Sequence, residues 1–322
     1  MNPVRRWLAA QWARRHPASD VLALTQRNLY IVPTRAGLGY LAMLLLLLVA
    51  TINEQLSLGY ALTFLLAGAG LASLWATHRN LNGLQLHLMA PAPVHAGDTV
   101  RLRVALHNPG PARWAVAIHP RGQPVADAGW ADVPARAHGE LQLALPMPRR
   151  GLHALPPLRV ESRFPLGLFV CWAVWRPAAP VWVYPRPEHP TPALPREGEA
   201  GPPPASAAAA APVPSEALEE LRPYRPGDPL AQVLWKQAAR QPDAPLWVRV
   251  RGHSGHAVCW LDWQATQGLD TEARLARLAA WVLTADAAGL RFGLHLPGQT
   301  LAPARGETQR HAALRALAGW EP

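Results

Sequence analysis

The residues best equipped for chemistry lie in Leu221–Arg240, LRPYRPGDPLAQVLWKQAAR. Asp228 can accept an amide hydrogen bond as an N-cap, with Pro229 at the first helical position, so the sequence predicts a helix over about Pro229 to Arg240. Leu230, Val233, Leu234 and Ala238 form its buried stripe. Lys236 and Arg240, four apart, share a face, with Arg222 and Arg225 in the preceding turn and Glu219 and Glu220 nearby. Two roles stay open at this point. The charges tie the turn to the helix by ion pairs, or the basic face receives an acidic partner.

A second candidate follows in Ala257–Asp262, an apolar strand ending on an acid, continued as Asp262-Trp-Gln-Ala-Thr266. The carboxyl end of a strand is where open α/β folds place ligand groups. Asp262 and Thr266 are candidate ligands for a divalent ion such as Mg²⁺, although a hard cation needs several correctly placed oxygens. No cofactor is otherwise expected. His253 and His256 make a lone HxxH, and His95, His107, His119 and His138 match no HxH or HExxH spacing, so they are expected to be solvated or structural. The sequence has no GxxxxGK[ST] phosphate loop, and Gly252-His-Ser-Gly255 is not a GxSxG nucleophile elbow, so no enzyme activity is expected. Cys171 and Cys259 lie far apart in apolar surroundings and are expected to be free thiols.

The elements that must position these groups begin at the membrane. Half of the 322 residues are hydrophobic and only 16% are charged, with 35 prolines. Gly37–Ile52 and Leu56–Ala76 contain no charge and approach the ~20 residues of a spanning helix. Only Asn53-Glu54-Gln55 separates them, which predicts an antiparallel transmembrane hairpin over 36–76. Trp75 and Tyr40 are expected at the bilayer interface, and Gly68 with Ala72 offers a close helix–helix approach. Arg5, Arg6, Arg14, Arg15, Arg27 and Arg35 precede the first span, and His78 and Arg79 follow the second. By the positive-inside rule both termini are cytoplasmic, with 1–35 a basic N-terminal segment. Residues 4–15 read as an amphipathic surface helix facing anionic lipid. The formal charge of +10 is spread along the chain rather than gathered on one patch, which speaks against a nucleic-acid partner.

From Gly83 the period becomes alternating. Val100–Leu106, Trp114–Ile118, Leu141–Leu145, Leu155–Val160, Phe169–Val174 and Val181–Tyr184 are bounded by Pro or Gly and predict a β-sandwich over 84–184. Arg163-Phe-Pro-Leu-Gly-Leu-Phe169 reads as an apolar loop bent by Pro165 and Gly167, with packing as its first role and a contact surface as the second. Residues 185–214 are rich in Pro and Ala and read as a linker. A short helical piece is expected over Glu216–Leu221, capped by Ser215. In 215–322 the order of strand, helix over about Thr271–Ala288, strand over Leu290–Leu296 and helix over Glu307–Ala318 implies a small parallel α/β layer.

Leu221-Arg-Pro-Tyr-Arg-Pro-Gly-Asp228, followed by Trp235-Lys-Gln-Ala-Ala-Arg240, resembles the Arg-x-Tyr-x-x-Gly-Asp and Trp-Lys-x-x-Ala-Arg pattern of the bacterial domain-of-unknown-function 58 family. The two spans, the bend at Arg163–Phe169, Tyr184-Pro-Arg186 and the Asp262 strand fit as well, so the resemblance runs from about Leu38 onward. It implies an inner-membrane protein with a hairpin, a cytoplasmic β-sandwich and a small von Willebrand factor A-like α/β region, associated with a MoxR-type AAA+ ATPase. That fold binds a divalent ion through Asp-x-Ser-x-Ser, where this chain has Gln264 for the first serine. No catalytic residues come with the resemblance. The expected function is a non-enzymatic scaffold or adaptor for the ATPase or its client, in envelope assembly or stress response. Arg222, Tyr224, Arg225, Gly227, Asp228, Trp235, Lys236 and Arg240 would form the contact, with the lipid bilayer a second partner and self-association compatible with both. The alternative is a divalent-metal-dependent ligand-binding module at Asp262–Thr266.

Overall fold

The computed structural model describes residues 17–125, 128–195, 219–223, 247–251 and 258–321. The chain divides into two compact units, Met1–Val183 and Tyr184–Pro322.

In the first unit, α1 (Arg35–Glu54) and α2 (Ser57–Leu81) form the hairpin. Both are long and apolar enough to cross a membrane. Their polarity is inverted relative to a water-soluble helix pair. Leu45, Leu46, Leu58, Phe64, Leu65 and Leu71 are exposed, whereas α2 buries Thr63, Gly70, Ser73, Thr77 and Asn80. In water that arrangement would expose a large apolar surface, but in hydrocarbon it keeps the polar stripe off the lipid-facing surface. The threonines answer their own helix: Thr51 donates to the Leu47 carbonyl at 2.7 Å, Thr63 to Gly59 at 2.8 Å and Thr77 to Ser73 at 2.8 Å.

The close approach between the helices is not where the Gly68–Ala72 spacing suggests. A side chain on Gly68 would meet open space, while a Cβ on Gly59 would press Thr51 and one on Gly70 would press the Tyr40 ring. Tyr40 has a partner within the hairpin, its hydroxyl donating to the Leu66 carbonyl of the opposite helix at 2.6 Å. Trp75 does point outward, 62% exposed.

The sheet-rich domain is assembled from β1 (Val21–Ala23), β2 (Tyr30–Pro33), β3 (Gln85–Leu88), β4 (Val94–His95), β5 (Thr99–His107), β6 (Arg113–Pro120), β7 (Gly129–Val133), β8 (His138–Pro146), β9 (Gly151–Ala154), β10 (Leu158–Ser162), β11 (Phe169–Trp175) and β12 (Pro180–Tyr184). They form sheets ordered β1-β3-β5-β8, β2-β11-β10-β6-β7 and β4-β12-β9. Alternation along β5 buries Val100, Leu102, Val104 and Leu106. These join Leu141 and Leu143 of β8 and Val116, Ile118, Leu158, Val160, Cys171 and Trp175 of the second sheet in one core.

This domain begins before the hairpin, not at residue 84. β1 pairs antiparallel with β3 and β2 with β11. Leu24, 1% exposed, belongs to the core, and its backbone exchanges hydrogen bonds with Gly83 and Leu84. The helices are therefore an insertion between two strands of the sandwich. The segment expected to be merely basic supplies edge strands, whose pairing partners lie more than 60 residues away and leave no local mark.

In the second unit, β15 (Val258–Asp262) and β16 (Arg291–Leu296) are parallel, joined through α3 (Thr271–Ala287). The expected strand–helix–strand order is present. β17 (Gln299–Ala304), not foreseen, returns antiparallel on β16, and α4 (Glu307–Gly319) follows. Asp270 caps α3 through the Ala273 amide at 3.2 Å, and Leu275, Leu278 and Val282 are buried. Two expectations change. Residues 219–221, expected in a helix, lie in β13 (Glu219–Pro223), which pairs antiparallel with β14 (Trp247–Arg251). Residues 185–195 are no free linker: Glu188 forms a bidentate pair with Arg277 at 2.8 and 2.9 Å, and Trp281 donates to the Ala193 carbonyl at 2.9 Å. Arg277 holds the Glu188 carboxyl below the usual carboxylate range.

Candidate functional site at the edge of the parallel strands

Asp262 closes β15, where the chain leaves the sheet through the 3-10 turn Trp263–Thr266. Its Oδ1 accepts from the Gln264 amide at 2.9 Å, so the carboxylate caps that turn. The parallel register sets His295 of β16 opposite Asp262, and His295 Nδ1 lies 3.3 Å from the same oxygen. Asp262 is nearly buried while the His295 side chain is one-third exposed, so the carboxylate orients an imidazole whose outer edge reaches solvent. His295 escaped sequence reading because only the pairing of strands 33 residues apart joins the two groups.

Thr266 stands apart from this pair in its bonding. It is fully buried, donates to the Trp263 carbonyl at 2.7 Å and accepts from Arg274 Nε at 3.2 Å. Arg274 also donates to the Thr266 and Trp263 carbonyls at 3.1 and 3.2 Å, and its guanidinium lies 4.3 Å from the Trp263 ring centroid. The Trp320 ring packs against the same indole, with ring centroids 4.4 Å apart. The hydroxyl expected to face a metal is thus turned toward a fixed positive charge, a poor setting for a hard dication. In this bonding Thr266 does not fit Mg²⁺ as a ligand. The arrangement holds a turn and orients His295.

Of the residues in the Leu221–Arg240 stretch, Arg222 lies in β13, opposite Val248. Tyr224, Arg225, Gly227, Asp228, Trp235, Lys236 and Arg240 lie outside the described residues, as do His253 and His256.

Two groupings in the sandwich were invisible to spacing rules. His107 and His138 are cross-strand neighbours, with Nδ1 and Nε2 at 2.9 Å. Glu161, 1% exposed, is met by Arg159 at 2.7 Å, Arg163 at 3.2 Å and His119 at 3.7 Å. Arg159 in turn covers Trp172, and Trp172 stacks on Tyr30 at 4.8 Å. This lattice carries β10, β11 and β2 as one surface.

The mounting of the hairpin is equally specific. At the start of α1, Thr34 Oγ1 accepts from the Gly37 amide and donates to the Gly167 carbonyl at 2.6 Å, while the Thr34 amide donates to Leu168 at 2.9 Å. At the end of α2, Asn80 donates to the Trp114 carbonyl at 2.7 Å and to Ser162 at 2.8 Å, and accepts from the Trp114 amide at 3.0 Å. Arg113, nearly buried, donates to the carbonyls of Arg79 and Asn82 and to Asn108 Oδ1. Burial, with the Arg79 charge beside it, lowers the Arg113 pKa from its ordinary value. No family model and no curated protein sequence matches this chain.

Proposed function

We propose that the protein is a non-enzymatic, multi-pass scaffold or adaptor of the bacterial inner membrane whose cytoplasmic units engage a MoxR-type AAA+ ATPase or its client. The observation that carries this reading is the hairpin itself. Two apolar helices leave one β-sandwich and return to it, and both junctions are hydrogen-bonded into the strands. Such a mount fixes a folded domain at a bilayer surface, which suits a platform for a partner. Arg35 stands at the first helix start and His78 and Arg79 in the last turn of the second, against Glu54 at the hairpin tip. That asymmetry supports cytoplasmic placement of the sandwich and both termini. The partner assignment rests on the likeness of Leu221–Arg240 to the family pattern, and its basic face would meet an acidic surface.

The test is affinity purification from solubilised membranes, read by ATPase activity and by the identity of the captured protein. Wild-type protein should retain a MoxR-type ATPase, and the double substitution Lys236→Glu, Arg240→Glu should reduce its recovery at least tenfold without changing the melting temperature. Equal recovery with the double variant would make the stretch structural, and failure of the wild type to retain such an ATPase would remove the reading.

A further inference from the structure

The Arg163–Phe169 bend is not merely packing. Leu168 is buried, but Leu166 at its apex is 60% exposed, Pro165 is exposed and Phe164 is half-buried beside Trp114 at 6.4 Å between ring centroids. Trp114 is itself 46% exposed. A soluble sandwich has no use for an exposed leucine and tryptophan flanking one turn, so what covers them needs an account.

Their height along the hairpin supplies it. α1 has 20 residues from Arg35 to Glu54, which at 1.5 Å per residue is about 30 Å, the thickness of a hydrocarbon core. With Glu54 at one headgroup layer, Arg35 stands at the other. On α2 the same distance ends near Trp75, whose exposed ring lies 4.9 Å from the Arg79 guanidinium one turn later. The bend is tied to this level from both sides. Gly167 and Leu168 accept from Thr34, the residue before Arg35, and Trp114 is bonded through its backbone to Asn80, the residue after Arg79.

We infer that the Phe164–Leu166 turn and Trp114 form a lipid-binding collar, in which the sandwich rests its apolar side chains in the headgroup–acyl boundary around the hairpin. The collar continues the apolar surface of the helices without a break in level. Exposed Arg35 and Arg79 stand beside it, and Arg163, paired to Glu161, opens the turn. This is the pairing of aromatic and cationic side chains that suits an anionic phospholipid headgroup layer. The inference rests on the hairpin spanning the bilayer.

An environment-sensitive nitrobenzoxadiazole label tests it in full-length protein reconstituted into phosphatidylcholine–phosphatidylglycerol nanodiscs, with Cys259→Ser removing the half-buried thiol and Cys171 left buried. Labels are placed singly at Leu166→Cys, at Leu62→Cys in α2, and at Gln123→Cys, just past the end of β6 opposite Arg113. The Leu166 label should emit blue-shifted from the Gln123 label and be quenched at least threefold more by lipid nitroxides placed near the headgroup than by nitroxides deep in the chain. The Leu62 label should show the reverse depth preference. A Leu166 label as wet and as unquenched as that at Gln123, while Leu62 is quenched by deep nitroxides, overturns the collar and keeps the hairpin. A blue shift without lipid quenching assigns the turn to a protein partner and also overturns it. Loss of quenching at Leu62 removes the spanning hairpin and the collar together.

Discussion

Cys171 projects into the sandwich core from β11, and burial pushes its thiol up to about 11 from 9.0. A raised acid pKa means that the folded protein favours the protonated form. Its contribution is complete below pH 9 and is lost as pH rises through 11, amounting to about 2–3 kcal/mol by linkage. Chemical denaturation of wild type and Cys171→Ala at pH 8 and pH 11 should show the wild type losing about that much more over the interval. A parallel loss in both would assign alkaline sensitivity to other groups. Gly37 gives a second test at this scale. A Cβ there would collide with the Leu168 carbonyl oxygen, while one on Gly68 meets nothing. Gly37→Ala should lower stability in detergent by about 1–3 kcal/mol, as overpacking does, and Gly68→Ala should leave the melting temperature unchanged. Equal effects would show that the Thr34–Leu168 seat yields freely.

At the scale of elements, the end of α2 depends on a residue from β6. Arg113 supplies a buried positive charge to the last carbonyls of a helix, satisfying Arg79 and Asn82 and complementing the helix dipole. Arg113→Ala removes the donor to the Arg79 and Asn82 carbonyls at a buried helix end, which should cost about 3 kcal/mol or more. Thermal melting of solubilised protein checks this, and a shift under 2 °C would show that water replaces the guanidinium. The sequence predicts the helix but not its clamp. Charge-free runs mark α1 and α2 because helices that turn apolar side chains outward carry that in their local composition, and alternation marks β5 and β8 because each strand shows one face to the core. Residues 219–221 read as helix in isolation because acidic and leucine residues suit either state until β14 pairs with them. The Asp262–His295 contact was hidden for the same reason: it follows from strand register, whereas Asp262 at a strand end was legible from the apolar run before it. The expected metal role of Thr266 fails on Arg274, eight residues on, whose orientation over Trp263 no spacing rule encodes.

At the scale of the first unit, the closing of the sandwich and the seating of the hairpin are tied together by chain order. β1 and β2 precede the helices, yet each completes a sheet whose remaining strands follow them. The sandwich therefore closes around both ends of the hairpin and pins them. A fragment spanning 84–184, the boundaries composition alone would choose, lacks Leu24 and Leu81 from the core and bares the edges of β3 and β11 that β1 and β2 cover. Two buried leucines at about 1.5–3 kcal/mol each, together with two open strand edges, are a large fraction of the stability of a domain this size. That fragment should elute as aggregate on gel filtration and lose its protease resistance. A peptide of residues 17–33 added in trans should restore part of that resistance by re-forming the edge strands. A monomeric, cooperatively melting 84–184 fragment would show instead that β1 and β2 decorate a sandwich already complete, and that the hairpin is an anchor attached to the fold rather than inserted through it.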